Sequence, residues 1–441
     1  VDGQIRAVIH EKVVEGTTCG ILPFTRRDVQ LPALPDKAYA VIGMRRSGKT
    51  TFLWQVVQQH LEQGMPREQA LYFSFEDERL LTMQVSDLQL IVETYYQLYP
   101  EKRERERVLF LLDEIQRVPN WELFARRIMD SERVILFLSG SSARMLAYEV
   151  GTSMRGRALP VPIFPFSFRE FLRHLGEEPD RPFAYLPKAQ RTIIQSRLNQ
   201  YLVEGGFPEA IGLALLDRRE LLRTYVDVVI LRDVIERYQT NNIVVLRHLV
   251  RHLLGNPGII FSVNKFYNEL RSQGLAVSKD TLHAMLEYLQ DAFLVRVVPY
   301  FSFSAAHQRV HPRKIYPIDM GFIPFYTAPR PFPMGHAMET CILIELLRRK
   351  ADVYYLRTPE GYEVDFVAVM PDGKHHLIQV CTELTEPTTL EREIRALLAA
   401  IRLYPDAVAN VILLDPVPVP DLPESIRLYR AAEWLLDGFV P

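Results

Sequence analysis

The sequence predicts an α/β protein: a parallel sheet with helical crossovers, then a largely helical middle, then a smaller α/β region. Two stretches carry this. Ala38–Ile42 is a short apolar run leading into Gly43-Met44-Arg45-Arg46-Ser47-Gly48-Lys49-Thr50, after which Thr51–Leu61 sets Phe52, Leu53, Val56, Val57 and Leu61 at helical spacing. Val108-Leu109-Phe110-Leu111-Leu112 is a second apolar run, and it ends in Asp113-Glu114. Short buried strands separated by helix-length periodic segments are the mark of strand–helix–strand crossovers.

The first stretch fits G-x-x-x-x-G-K-[ST]. In that pattern the loop's backbone N–H groups wrap phosphates, the glycines permit close approach, the lysine reaches the β/γ-phosphates and the hydroxyl ligates Mg²⁺. The candidate nucleotide-binding residues are therefore Gly43, Arg45, Arg46, Ser47, Gly48, Lys49, Thr50 and Thr51, with the anion led to a helix N-terminus. Leu71–Phe75 reads as the next strand and Leu88–Tyr99 as a helix. Glu101–Arg107 alternates in charge sign and reads as a solvated connector. At the end of Val108–Leu112, Asp113 is the candidate metal ligand beside Thr50, and Glu114 the group that orients and deprotonates water. One further strand lies between the glycine loop and this one, the arrangement of P-loop ATPases that use a catalytic glutamate.

Pro119-Asn120-Trp121-Glu122 starts another helix, and Val134–Leu138 is a strand ending in Ser139-Gly140-Ser141-Ser142. Ser139 and Ser141 are both candidates for sensing the γ-phosphate. Met154-Arg155-Gly156-Arg157 precedes the strand-like Ala158–Phe164. In ring-forming ATPases an arginine at this point enters a neighbour's site, so Arg155 and Arg157 are candidates and Arg144 a weaker one.

Taken in order, Gly-Met-Arg-Arg-Ser-Gly-Lys-Thr, Leu-Leu-Asp-Glu-Ile-Gln, Ser-Gly-Ser-Ser-Ala-Arg, Arg-Gly-Arg and Pro-Phe-Ser-Phe-Arg-Glu-Phe resemble one family. It is that of the AAA+-type archaeal and bacterial P-loop ATPases with a C-terminal domain of unknown function. The resemblance covers nearly the whole chain and implies ATP binding and hydrolysis, with ATP/ADP and Mg²⁺ as cofactors. It divides the chain into an ATPase core (1–165), a helical lid (166–240), a winged-helix domain (241–328) and a restriction-endonuclease-like domain (329–441). In the lid, Gln190–Leu202 and Leu221–Tyr238 flank Gly205-Gly206-Phe207-Pro208-Glu209, and Arg232 is the nominee for a second sensor.

Val245–Leu254, Val263–Ser272 and Lys279–Gln290 read as three short helices, with Ser262 and Ser278 as N-caps and Phe293–Phe301 as the following strand. This is a winged-helix pattern, although Lys279, Asp280, His283 and Glu287 leave the third helix nearly charge-balanced. The basic stretch His307–Lys314 follows. Lys279, His283, Arg309, Arg313 and Lys314 are the candidate DNA contacts.

The last region resembles a nuclease fold whose active pattern is Glu … Asp … Glu-x-Lys. Glu339 on the helix Gly335–Arg349 and Asp365 in Val364–Ala368 match it. Gln379 stands at the second acid and Cys381 at the lysine, changes that remove a charge from the metal and the cation from the water. Lys374, beside His375 and His376, is the cation nearest in sequence that can take the role. The expectation is a degenerate, inactive nuclease-like site.

Composition limits the classes. At 441 residues the chain has room for about three domains. A net charge of −2 excludes a basic coat for nucleic acid, so any DNA contact must be a local patch. Cys19, Cys341 and Cys381 are too sparse for a disulfide framework and point to a reducing compartment, the cytoplasm. No apolar run approaches the roughly 18–20 residues of a membrane helix. Val1-Asp2-Gly3 does not read as a signal peptide, and with no initiator Met some N-terminal residues are expected to be missing. The function these features predict is a Mg²⁺-dependent ATPase that assembles as a homo-oligomer, such as a ring, and remodels branched or junction DNA. The alternatives are a nucleotide-dependent regulatory switch of the signalling-ATPase type and an ATP-gated, metal-dependent nuclease.

Overall fold

The computed structural model describes residues 2–32, 34, 36–141, 154, 156–327, 332–382, 387–414 and 422–439. The chain divides into two compact units, Val1–Ile163 with Asp291–Phe293, and Phe164–Gln290 with Leu294–Pro441.

The first unit is a five-stranded sheet in the order β2-β3-β4-β1-β5, parallel throughout: β1 Ala38–Ile42, β2 Ala70–Ser74, β3 Val108–Asp113, β4 Val134–Gly140 and β5 Ala158–Pro162. The six residues of β3 are all buried, as expected of a central parallel strand covered on both faces. In space it is β4 that separates β1 from β3, while β2 forms the outer edge. Helix α2 (Lys49–Glu62) buries Phe52, Leu53, Val56 and Val57 against Val41, Leu109, Leu111 and Phe137 of the sheet. Its apolar spacing, legible in the sequence, is the stripe that faces the core.

Two local findings differ from expectation. Helix α1 (Asp2–Thr18) was not foreseen, yet Ile5, Val8, Ile9 and Val13 are buried at helical spacing. The charged run 101–107 is not a fully solvated connector. It contains a helical turn, Lys102–Arg105, in which Lys102 is buried with its ammonium 3.1 Å from Glu106. The four-carbon stem packs inside while the charge keeps a partner.

Among its described residues the second unit carries two sheets. β9 (Asp352–Arg357), β10 (Glu363–Val369) and β11 (His375–Cys381) run antiparallel, and β12 (Val408–Leu413) and β13 (Ile426–Arg430) add in parallel, giving the order β13-β12-β11-β10-β9. Ile342 and Leu346 of the helix Met334–Arg348 belong to the core that covers Phe366 and Ile378. Leu397 and Ala400 of the helix Pro387–Leu403 belong to the core around Val364, Val367 and Leu377. Val364 and Val367 share that second core because the β9–β10 register shifts between them. Such a bulge breaks the two-residue alternation of faces.

Upstream, helices Ile243–Gly255, Val263–Ser272 and Lys279–Asp291 accompany a three-stranded antiparallel sheet in the order β6 (Ile260–Phe261), β8 (Arg313–Pro317) and β7 (Val295–Val298), with β6 lying between the first two helices in sequence. Ser262 caps its helix through Lys265 N–H, and the Ser278 hydroxyl accepts from Thr281 N–H. Helices Phe168–His174 and Lys188–Glu204 lie before them in sequence. The turn after Glu204 is fixed by Asp319, whose carboxylate accepts from Gly206 N–H at 2.8 Å and Gly321 N–H at 2.9 Å.

Candidate nucleotide site

The site lies at the carboxyl ends of β1, β3 and β4, the position where open parallel sheets present ligands. Two glycines let the loop close. A Cβ on Gly43 would sit 2.2 Å from the Ile163 carbonyl oxygen, and Gly48 has φ +96°. Arg46 is left-handed as well, at φ 66°. Ser47 is buried, whereas Arg46, Thr50 and Thr51 are exposed. Arg45 lies 3.9 Å from Glu76 at the tip of β2.

Lys49 opens α2, and its side chain is 6% exposed. Its ammonium donates to the carbonyls of Gly43 and Met44, each at 3.3 Å, and lies 3.8 Å from Glu114 Oε1. The loop therefore curls around its own lysine, with the acid of the second motif beside it. Glu114 takes a left-handed turn, φ 58°, just past the end of β3. Its N–H donates to Ser139 Oγ at 3.0 Å, and its carboxylate accepts from the Gln116 amide.

Asp113 is 3% exposed and collects three hydroxyls. Thr50 Oγ1 donates to Oδ2 at 2.8 Å, Tyr72 Oη donates to the same oxygen at 2.7 Å, and Ser139 Oγ donates to Oδ1. Burial and the neighbouring Asp113 push the Tyr72 phenol far above its ordinary value, so it stays a donor. Thr50, Asp113, Glu114, Lys49 and Ser139 are thus brought together by the ends of two strands, β3 and β4, and one helix start. Ser141 is buried just beyond β4.

Tyr72 went unnoticed in the sequence, because nothing local distinguishes a strand tyrosine that packs from one that bonds a carboxylate. Arg27 was also missed. It donates to the Ser47 carbonyl at 2.8 Å, and its own backbone exchanges hydrogen bonds with Gln55 of α2 at 2.7 and 2.9 Å. Arg157 is ion-paired with Asp130 in the same unit. Arg155 and Arg144 lie outside the described residues. Arg232, the nominated second sensor, is exposed and pairs with Glu236 at 2.9 Å, one helical turn on.

In the second unit the structure corrects one expectation outright. Lys314 is not an exposed backbone grip. It lies on β8 and is 2% exposed, 2.7 Å from Glu363 and 3.6 Å from Asp365. Burial opposes its charge, but Asp365, Glu339 and Glu363 outweigh that and hold its pKa above the ordinary lysine value. Tyr316, two residues on, donates to Glu339 at 3.0 Å. Burial and the nearby Asp365 push the Glu339 carboxyl up to about 8.

Gln379, expected at the second-acid position, has Oε1 accepting from Asp365 N–H at 3.4 Å and its amide donating to Glu393. Cys381 is buried, and that burial raises its thiol. Lys374 is exposed and pairs with Asp372 at 3.0 Å. Lys279, His283 and Arg313 are exposed, Lys279 lying 5.4 Å over the Tyr267 ring, while the side chain of Arg309 lies outside the described residues.

Lys314→Met is expected to destabilise the protein by ~3–5 kcal/mol, because it leaves Asp365 buried without its cation. Pairing the change with Asp365→Asn should recover much of the loss. Denaturant melts of the wild type and the two variants check this, and equal losses in the single and double variants would contradict it.

These features define the fold of a P-loop ATPase of the AAA type. A family model for an AAA domain matches residues 35–172, and a model for a domain of unknown function matches residues 195–327. The uncharacterized protein MJ1544 of Methanocaldococcus jannaschii is 33% identical over 389 residues, spanning 85% of this chain and 81% of its own length. The chain belongs to the protein family of MJ1544. An uncharacterized protein of Haemophilus influenzae is 27% identical over 357 residues, covering 80% of this chain and 84% of its own. Among solved structures, the Walker-type ATPase PABY2304 of Pyrococcus abyssi aligns with 73% of this chain and 95% of its own at 13% identity, with a TM-score of 0.42. No described helix is long and apolar enough to cross a membrane.

Proposed function

We propose that this chain is a Mg²⁺-dependent ATP hydrolase that works as an oligomer on DNA. The observation that carries the hydrolase reading is the convergence of Lys49, Thr50, Asp113 and Glu114 at one end of the first sheet. Thr50 Oγ1 and Asp113 Oδ2, 2.8 Å apart, are hard oxygen donors of the kind Mg²⁺ prefers. When bound there, the ion neutralises charge on the phosphates.

The chain's own residues do the rest. Loop N–H groups orient the phosphates, and Lys49 exchanges its carbonyl and carboxylate partners for phosphate oxygens. Glu114 accepts a proton from the attacking water. Ser139 holds both acids in place, and Ser141, buried just beyond β4, is the residue that senses the γ-phosphate. Arg157 or Arg155 completes the site of a neighbouring subunit, since an exposed pair such as Arg157–Asp130 is exchanged at little cost.

The DNA reading rests on the three helices and small antiparallel sheet between 241 and 328, which support a winged helix, with 166–240 as the lid. Its candidate contacts are Lys279, His283, Arg309 and Arg313. Region 329–441 is read as a nuclease-like scaffold. Its donor set does not fit a catalytic metal. Glu339 is bonded to Tyr316 and Asp365 faces Lys314, and among the described residues no three His, Cys, Asp or Glu side chains gather to hold one.

The test is ATP turnover and binding with duplex and four-way-junction DNA at low salt. A Lys279→Ala/Arg313→Ala double variant is expected to weaken binding and lower the log–log salt slope by about 2. Absence of binding at low salt, or binding indifferent to both changes, contradicts the DNA reading and leaves the hydrolase reading standing.

A further inference from the structure

The edge strand of the first sheet reaches into the acidic centre. In the parallel register Tyr72 stands opposite Leu111 and Ser74 opposite Asp113. Paired residues share a face, so Tyr72 points to the same side as Asp113 but two residues, roughly 7 Å, further back along the strand. A phenol spans that gap where a serine or threonine does not. The ring is held in place by Trp54 of α2, centroid to centroid 4.5 Å, and Trp54 in turn lies beneath Arg67 at 5.6 Å.

We infer that Tyr72 is a positioning residue for Asp113, and that its hydroxyl sets the chain's affinity for the magnesium complex of a nucleoside triphosphate rather than for the nucleotide itself. The inference rests on the nucleotide-site reading above. The Thr50 hydroxyl has one proton and two lone pairs, so it can keep donating to Asp113 while a lone pair faces a cation. That geometry requires Asp113 Oδ2 to stay beside Thr50. The terminal torsion of an aspartate is broad and close to two-fold, so one donor leaves the carboxylate plane free to swing. Tyr72, on the same oxygen from the opposite strand, and Ser139, on the other oxygen, fix the plane. Tyr72 touches no part of the glycine loop through this bond, and that separates its effect from phosphate binding.

Tyr72→Phe removes the hydroxyl and keeps the ring against Trp54. A fluorescent ATP analogue is titrated into full-length wild type and variant, in excess Mg²⁺ and in excess chelator, with a thermal melt confirming that both are folded. The expected result is an affinity without metal within about twofold of wild type, and a gain on adding Mg²⁺ smaller by about tenfold, the size of one lost bond to a charged group. An equal Mg²⁺ gain in both proteins overturns the inference, as does an equal loss with and without metal, which makes Tyr72 a packing residue only. If the wild type binds no nucleotide, or gains nothing from Mg²⁺, the site reading itself falls.

Discussion

Lys49→Ala is expected to weaken ATP binding by roughly 30-fold to several-thousand-fold. The ammonium is buried and held by two loop carbonyls and Glu114, so it is placed in advance and pays little ordering entropy when phosphate oxygens replace those partners. Removing one partner of a buried, charge-assisted contact costs about 2–5 kcal/mol, or roughly 30-fold to several-thousand-fold in affinity. Calorimetric titration with ATP checks this, and a melt in the absence of nucleotide shows that the fold survives. Lys49→Arg serves as the control for geometry: the charge stays, but a planar fork does not fit a loop wrapped around a point charge. Affinity in the alanine variant within a factor of about two of wild type would remove the phosphate-binding role.

Glu114→Gln is expected to leave that affinity nearly intact and to lower turnover by ~10²–10⁴, the usual contribution of a positioned general base. Glutamine matches the glutamate in length, so the hydrogen bond from residue 114 N–H to Ser139 and the left-handed turn at the end of β3 are undisturbed. The capacity to take a proton is lost, together with the negative charge 3.8 Å from the Lys49 ammonium, which phosphate oxygens replace as a partner on binding. The steady-state rate checks the magnitude, and the affinity measured alongside shows whether the change stayed local. A variant that turns over at the parent rate would place the base elsewhere.

The parallel sheet and its crossovers were legible because their signals are local. A buried parallel strand is a short apolar run, α2 shows its stripe at helical spacing, and a G-x-x-x-x-G-K-T loop has few other uses. The spatial order β2-β3-β4-β1-β5 is not written in any run of residues and follows from how the crossovers pack. Helix α1 was available from Ile5, Val8, Ile9 and Val13 but carries no chemistry to draw attention.

Lys314 was misread for a different reason. Its run, His-Gln-Arg-Val-His-Pro-Arg-Lys, looks like a basic loop. The carboxylates that bury the lysine, Glu363 and Asp365, lie some fifty residues away in sequence and meet it only through the fold. The same holds for Tyr72 and Arg27, whose partners at Asp113 and Ser47 are fixed by strand register and by the path of the chain before β1. Charge and aromatic residues are visible in a sequence; what they face is not.

The claim on which the rest depends is that ATP is hydrolysed at the loop around Lys49 with Glu114 as base. Single-turnover chemistry tests it most directly. Protein in excess over Mg²⁺–ATP is quenched over time and the bound nucleotide analysed. The prediction is conversion of ATP to ADP and phosphate in one exponential phase by the wild type, with Glu114→Gln holding the same amount of ATP uncleaved over that time. Equal rates of ATP loss in the two proteins, or no cleavage by the wild type, would contradict the account.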